Sequence, residues 1–192
     1  MLVLILGLVI FLATHSVRIA AGDWRQGMIA RLGEGPWKGI YSLASAIGLV
    51  LIIWGYGIAR VDPVLLWIPP LWLKHLALLL NLIAMVLFAA YLVPAGWIKA
   101  RLGHPMILAV KIWAFAHLLS NGTLADLLLF GGFLAWAIFA FAAFRRRDRA
   151  AGTVRIAGPV RNDLAAIFAG IVIWAALLWG VHLWVIGVSP LA

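Results

Sequence analysis

MLVLILGLVIFLATHSVRIA, residues 1–20, opens the chain with an almost unbroken run of leucine, isoleucine, valine and phenylalanine. Because an α-helix rises about 1.5 Å per residue, about 20 such residues cross the hydrocarbon core of a bilayer. No basic segment precedes this run, and no small-residue cleavage pattern follows it. We therefore predict a retained transmembrane helix here rather than a signal peptide.

Five further apolar stretches follow the first and are separated by turn-forming residues. The chain has 192 residues, of which 66% are hydrophobic, and a soluble domain of this size cannot bury so much apolar surface. We therefore predict an all-α protein, a polytopic membrane helix bundle of about six transmembrane helices. It is expected to form a single domain over residues 1–192 and to have the lipid bilayer as its partner. The further stretches cover residues 37–58, 71–93, 105–120, 124–144 and 164–187.

The boundary between the fourth and fifth stretches carries clear turn and capping signals. The fourth stretch is short for a span, at about 24 Å, and Ser120, Asn121 and Gly122 close it with residues that tolerate a left-handed cap. Thr123 and Asp126 then match the T-x-x-D pattern of a capping box. The spacing predicts that the fifth helix begins here.

The positive charge of the chain, +9, is concentrated in alternate connections. Cytoplasmic loops of membrane proteins carry an excess of lysine and arginine, which explains the charge without a nucleic-acid partner. We predict that both termini lie on the outer, periplasmic side of a bacterial inner membrane. The first, third and fifth connections hold Arg18, Arg25, Arg31, Lys38, Lys99, Arg101, Arg145, Arg146, Arg147, Arg149, Arg155 and Arg161, and the second and fourth hold only Arg60 and Lys74.

Three nitrogen-bearing side chains occur in or beside the fourth stretch, although ionisable residues inside a span are costly and often functional. His104 precedes Pro105 and is expected in the turn that enters the helix. Lys111 either extends its stem towards the cytoplasm or balances an acidic group in the bundle. His117 is about 20 Å and about 140° from His104 on a helix, so these two histidines cannot bind one metal ion.

His117 therefore needs a partner from another helix, and the depth of His15 in the first helix allows it to be that partner. Neutral imidazole is the usual protein ligand of haem iron, and helix bundles build such sites in their cores. A zinc site is less favoured because the chain has no cysteine and no acidic residue accompanies the histidines at depth. The alternative is two buried histidines that bond to carbonyl groups or to Ser16, Ser42, Ser45 or Asn81.

Three stretches of the chain resemble the bacterial NnrU family: ATHSVR at 13–18, YLVPAGWIKARLGHPMILAVKIWAFAHLLSNG at 91–122, and LADLLLFGGFLAWA at 124–137. That family is similar to plant zeta-carotene isomerase, a membrane protein that uses haem b. In the isomerase, the histidines of the A-H-S and W-x-x-A-H motifs are the axial ligands of the haem. The resemblance assigns these roles to His15 and His117.

The resemblance also implies that His104 lies near the haem without binding its iron. Lys111 and Trp113, from the same stretch, complete the candidate cofactor-binding residues. The isomerase has a cysteine three residues before its second ligand, where this chain has Ala114, so a cysteine cannot replace an imidazole on the iron here. Arg18 comes earlier than in the A-H-S-x-x-x-x-R pattern. Two smaller departures are Gly103, where a basic residue often precedes His-Pro, and Thr123, where an aspartate often follows Asn-Gly.

Two classes of function are compatible with these residues. The first is redox or isomerase-like chemistry by a haem b protein on a lipophilic, carotenoid-like substrate, which leaves open whether the protein is an enzyme. The alternative is a non-catalytic accessory protein, or one that responds to nitric oxide, linked to denitrification as the family name suggests. A transporter is less favoured, because every acidic residue falls in a loop or at a helix end.

Overall fold

The structure, a computed structural model, describes residues 1–191 of the chain. Helices dominate it, and the only β-type pairing in these residues is an isolated bridge between Leu65 and Thr123. The all-α prediction is therefore confirmed. The helices are α1 Leu2–Ala20, α2 Gly22–Leu32, α3 Glu34–Ala59, α4 Leu71–Leu92, α5 Trp97–Leu102, α6 Pro105–Ser120, α7 Leu124–Ala150, α8 Val160–Ala176 and α9 His182–Ile186, with a π-helical segment, Leu177–Val181, between the last two.

Five helical segments within residues 1–191 are long and apolar enough to cross a membrane. They are α1, α3, α4, α7 and the combined segment Val160–Ile186. The sixth apolar helix, α6, has 16 residues and is shorter than a usual span. These six segments match the six stretches predicted from the sequence, and the protein is a helical membrane protein.

Two of the connections between the predicted spans contain helices. The 11 residues of α2 fill most of the first connection, and the six residues of α5 lie in the third. Three helix ends also differ from the predicted bounds. The helix α3 begins at Glu34, α7 continues to Ala150 and α8 begins at Val160. The extension of α7 contains Arg145, Arg146, Arg147 and Arg149, and arginine and alanine are both good helix formers.

The contacts within the chain define two compact units. The first unit comprises Met1–Ile68 and Asn121–Ala143, and the second comprises Pro69–Ser120 and the chain from Phe144 onward. The N-terminal part of α7 therefore belongs to the first unit and its last turns belong to the second. The single domain proposed over residues 1–192 stays a prediction.

In the first unit, glycines allow the backbones of α1 and α3 to approach closely. A methyl group on Gly48 would lie 2.8 Å from the backbone nitrogen of Phe11, and one on Gly7 would lie 2.6 Å from that of Ile52. Gly55 meets the backbone of Leu4 in the same way. Small residues favour such close approach in membranes, where packing rather than hydrophobic burial holds helices together.

In the second unit, α4 packs against both α6 and α8. Alanines form much of the buried surface, including Ala84 of α4 and Ala114 of α6, which are both 0% exposed. A methyl group on Gly170 of α8 would lie 2.5 Å from the Cα atom of Val86 on α4. The side chain of Trp174 adds a hydrogen bond from its Nε1 atom to the carbonyl of Leu78, at 3.0 Å.

A carboxylate distant in sequence positions the short helix α5 in the second unit. Asp163 of α8 accepts hydrogen bonds from the backbone nitrogens of Trp97, at 2.8 Å, and Ile98, at 2.9 Å. Asn162 donates to the carbonyl of Ala95 at 2.9 Å. Asp163 therefore supplies the side-chain cap that the residue preceding α5, Gly96, cannot provide.

The predicted capping box of α7 is present and extends to a second helix. Asp126 accepts from the backbone nitrogen of Thr123 at 3.0 Å and from its hydroxyl at 2.6 Å, and its own backbone nitrogen donates back to that hydroxyl at 3.2 Å. The other carboxylate oxygen accepts from the Tyr56 hydroxyl of α3 at 2.5 Å. Asp126 is 5% exposed, and within residues 1–191 no other acidic side chain is buried.

Candidate functional site

The His15 imidazole of the first unit is held in one tautomer by its own helix. Its Nδ1 atom lies 2.7 Å from the carbonyl oxygen of Phe11, four residues earlier. A carbonyl oxygen can only accept a hydrogen bond, so Nδ1 carries the proton of the neutral ring. The lone pair is then on Nε2, the arrangement that metal-binding histidines commonly adopt when Nδ1 donates to a backbone carbonyl.

Aromatic rings surround His15 on several sides. The ring of Phe11 stacks on the imidazole with centroids 4.1 Å apart. Tyr41 of α3 and Trp136 of α7 meet it edge-on, at 5.5 and 6.1 Å. These three aromatic contacts pack the His15 ring within the first unit.

An apolar groove of about 500 Å³ runs along α1 beside His15, within the first unit. Trp136 and Phe139 of α7 line one wall, and Leu8, Leu12 and Ser16 line the α1 side. Successive residues of a helix are 100° apart around its axis. By this measure, His15 lies between the face of α1 that packs against α3 and the face that lines the groove.

His117 of the second unit has the same local setting as His15. Its Nδ1 atom lies 2.8 Å from the carbonyl oxygen of Trp113, again four residues earlier. The Trp113 ring is also its neighbour, with centroids 5.1 Å apart. Each histidine therefore follows an aromatic residue by one helical turn, donates to its carbonyl and packs against its ring, so that Nε2 carries the lone pair.

His104 lies in the turn before α6, as predicted, and forms an ionic cluster within the second unit. Its Nε2 atom lies 2.7 Å from a carboxylate oxygen of Asp148, which also accepts from Arg155 at 2.6 Å. Gly103 has a φ of 79°, a conformation that favours glycine, and a methyl group there would lie 3.0 Å from the Arg155 guanidinium. The glycine that departs from the family pattern thus leaves room for Arg155.

The remaining polar candidates have different surroundings. Lys111 is half-buried on α6, and among residues 1–191 its ammonium forms no hydrogen bond or ion pair. His75 is exposed near the start of α4. His182 is half-buried near the C-terminus, where its Nδ1 atom lies 2.7 Å from the carbonyl oxygen of Val188. These contacts assign no chemical role to any of the three.

The candidate ligands among the described residues are single imidazole nitrogens, and they are not grouped around a position for a metal ion. No group of three or more histidine, cysteine or acidic side chains that could hold a metal ion occurs within residues 1–191. A structural zinc ion is usually held by four protein ligands, whereas haem iron needs only one or two from the protein. His15 and His117, each within its own unit, offer one nitrogen of the kind that haem iron binds.

Comparison with known proteins identifies the family. The family model described as NnrU protein matches residues 3–190, nearly the whole chain. The chain belongs to the NnrU family. No curated protein and no solved structure matches this NnrU chain. The family assignment made from the three sequence stretches is confirmed, and the matched range includes both histidines and their aromatic neighbours.

Several residues of these sites were not identified from the sequence. Tyr41 and Trp136 contact His15 from helices distant in the chain. Asp148 and Arg155 contact His104 from the fifth connection, whose basic residues were interpreted only as a signal of orientation. The signal that could have revealed Asp148 is a lone acidic residue within a run of arginines. No comparable signal marks Tyr41 or Trp136, because aromatic residues are frequent throughout this chain.

Proposed function

We propose that this NnrU protein binds haem b with His15 and His117 as its axial ligands and uses it in redox or isomerase-like chemistry on a lipophilic, polyene-like substrate. The observation that carries the proposal is the shared setting of the two imidazoles. Each has its Nδ1 proton on the carbonyl four residues earlier, at 2.7 Å for His15 and 2.8 Å for His117. Such a hydrogen bond fixes the ring and raises the basicity of Nε2 as a ligand.

The aromatic neighbours support the same proposal. Phe11 and Trp113 limit the rotation of the imidazoles, which reduces the conformational entropy lost when a ligand bond forms. The apolar groove beside His15 offers a hydrophobic wall to a flat macrocycle. Apolar surroundings also exclude water, which tunes the redox potential of a bound haem.

Haem b, when bound, would supply one-electron chemistry at its iron. The residues of this chain would supply two nitrogen ligands, their orientation and an apolar environment. Because the chain contains no cysteine, no thiolate can exchange with either imidazole. The packing of Phe11 against His15 and of Trp113 against His117 would set how firmly each imidazole is held as a nitrogen ligand.

The haem content of purified variants tests this proposal. His15→Ala and His117→Ala proteins should each lose bound haem, or keep it with an absorption spectrum characteristic of a five-coordinate iron. His182→Ala is the matched control, since that histidine bonds to a carbonyl near the C-terminus and its replacement should leave the spectrum unchanged. Haem content and spectra equal to wild type in both ligand variants would refute the assignment of these two residues.

A further inference from the structure

The chain that follows α3 in the first unit carries an exposed apolar segment, residues 64–68. All five of its side chains are large, apolar and exposed. The exposed fraction is 60% for Leu65 and 78% for Ile68. Soluble monomers rarely expose a contiguous apolar patch, and such a patch marks a surface that another phase or molecule covers. The segment consists of Val64, Leu65, Leu66, Trp67 and Ile68.

The backbone of this segment is hydrogen-bonded to the residues that immediately precede α7. The carbonyl oxygen of Gly122 accepts from the backbone nitrogens of Leu66, at 2.8 Å, and Trp67, at 3.2 Å. The backbone nitrogen of Leu124 donates to the carbonyl of Val64 at 2.9 Å. Backbone polar groups are costly to remove from water when they are unpaired. These bonds therefore lower the cost of placing a non-helical segment where water is scarce.

The tryptophan of the segment is paired in the same way. Its Nε1 atom donates to the carbonyl of Asn121 at 3.2 Å. Gly122 permits the close contact, because a methyl group there would lie 1.9 Å from the carbonyl oxygen of Trp67. The Trp67 ring remains 39% exposed. Tryptophan is enriched at the level of lipid headgroups, where an apolar ring meets hydrocarbon and its polar atom is satisfied.

Two spans of the first unit fix the level of the segment relative to a membrane. The helix α3 ends at Ala59, shortly before the segment, and α7 begins at Leu124, to which the segment bonds. The bond between Tyr56 and Asp126, at 2.5 Å, joins the last turn of α3 to the first turn of α7. Both helices are long and apolar enough to cross a membrane. The segment is therefore held where these two spans leave the hydrocarbon core.

The charge around the segment indicates which part of the bilayer it meets. Asp62 is the one charged residue in the sequence from 61 to 68, and this stretch has no lysine or arginine. Anionic headgroups attract basic residues, so electrostatic attraction cannot draw this stretch to the membrane. Burial of its apolar side chains can do so whatever the headgroup charge.

We propose that residues 64–68 insert into the interfacial region of the bilayer, at the boundary between headgroups and acyl chains. The partner of this surface is the lipid itself, and its binding holds the adjoining ends of α3 and α7 at one depth. The proposal is independent of haem binding, because it uses none of the residues that contact His15 or His117.

The experiment measures the depth of nitroxide labels on the full chain in lipid vesicles. Leu66→Cys, Ile68→Cys and Asp62→Cys are each labelled, since the chain has no other cysteine and all three positions are exposed. Each protein is reconstituted into phosphatidylcholine vesicles and into vesicles with equal parts of phosphatidylcholine and phosphatidylglycerol. Power saturation then compares collisions with oxygen, which concentrates in lipid, and with a neutral nickel chelate, which stays in water. Asp62→Cys is the matched control, because the same connection carries it on the polar side of Pro63.

We expect the labels at residues 66 and 68 to collide readily with oxygen and poorly with the chelate, in both kinds of vesicle. Their ratio of oxygen to chelate collisions should exceed that of the label at residue 62 several-fold. Such a result requires that hydrocarbon, rather than water or protein, surrounds the two positions.

Three results would overturn the proposal. Chelate collisions at residues 66 and 68 as frequent as at residue 62 would place the segment in water. Protection from both oxygen and chelate would show that protein covers it, and dilution with unlabelled chain would then reveal by reduced spin–spin broadening whether a second copy does so. Protection from the chelate only in vesicles with phosphatidylglycerol would show that the attraction depends on headgroup charge.

Discussion

At the scale of single residues, the buried carboxylate of Asp126 has a hydrogen-bond partner that is distant in sequence. Asp126 was predicted as part of a capping box, and its bonds to Thr123 confirm that prediction. Its bond to Tyr56 was not predicted, because the two residues are 70 positions apart and no local pattern connects them. Local capping rules thus identified the carboxylate but only half of its partners.

The Tyr56–Asp126 bond should contribute measurably to stability. Asp126→Ala leaves the Tyr56 hydroxyl and the Thr123 nitrogen without a partner, and we expect a loss of about 1–3 kcal/mol in the free energy of unfolding. Tyr56→Phe should cost less, and the double variant should cost less than the sum of the two. Unfolding of the detergent-solubilised protein measures these values. Asp62→Ala, at an exposed position, is the control, and additive effects of the two substitutions would show that the bond has no energetic role.

The candidate site shows the same limit on prediction from sequence. His15 and His117 stood out because histidine is rare in apolar helices, and their aromatic neighbours at i−4 lie in the same sequence stretch. The contacts of His15 with Tyr41 and Trp136 join three different helices of the first unit. Single-sequence patterns place a residue on a helix face but do not state which face of another helix it meets.

At the scale of helices, hydrophobic length predicted the six apolar segments, whereas amphipathicity contributed little. The missed helix α2 contains two glycines and has no marked apolar face, and the missed helix α5 depends on Asp163, 66 residues after Trp97. The start of α8 was also missed by several residues because it is polar. The length of an apolar run therefore predicts transmembrane helices. It does not predict helices that are polar or that depend on a capping residue distant in the chain.

The contact between α1 and α3 gives a direct test of helix packing. Gly55→Ala would place a methyl group against the backbone of Leu4, which cannot move without separating the two helices. We expect a loss of about 1–3 kcal/mol in the free energy of unfolding in detergent. Gly57→Ala, two residues later in the same helix, meets no atom within 4 Å and should be neutral or slightly stabilising. Equal effects of the two substitutions would show that the α1–α3 contact is not close packed.

At the scale of the whole molecule, the asymmetry of basic residues predicts how the chain is oriented. The absence of cysteine from the sequence allows single-cysteine variants without any background substitution. A cysteine at Arg149 should resist an impermeant thiol reagent in intact cells, and one at Pro63 should react, because the fifth connection is expected inside and the second outside. Membrane permeabilisation should make both react. Labelling of Arg149→Cys but not Pro63→Cys in intact cells would reverse the orientation.

The central claim, that two imidazoles bind a haem in this NnrU protein, is tested most directly by electron paramagnetic resonance of the purified oxidised protein. Two nitrogen ligands from His15 and His117 should give a low-spin ferric signal. Both His15→Ala and His117→Ala should convert it to a high-spin signal or abolish it, and His182→Ala should preserve it. A protein purified without haem, or a low-spin signal that persists in both ligand variants, would contradict the account.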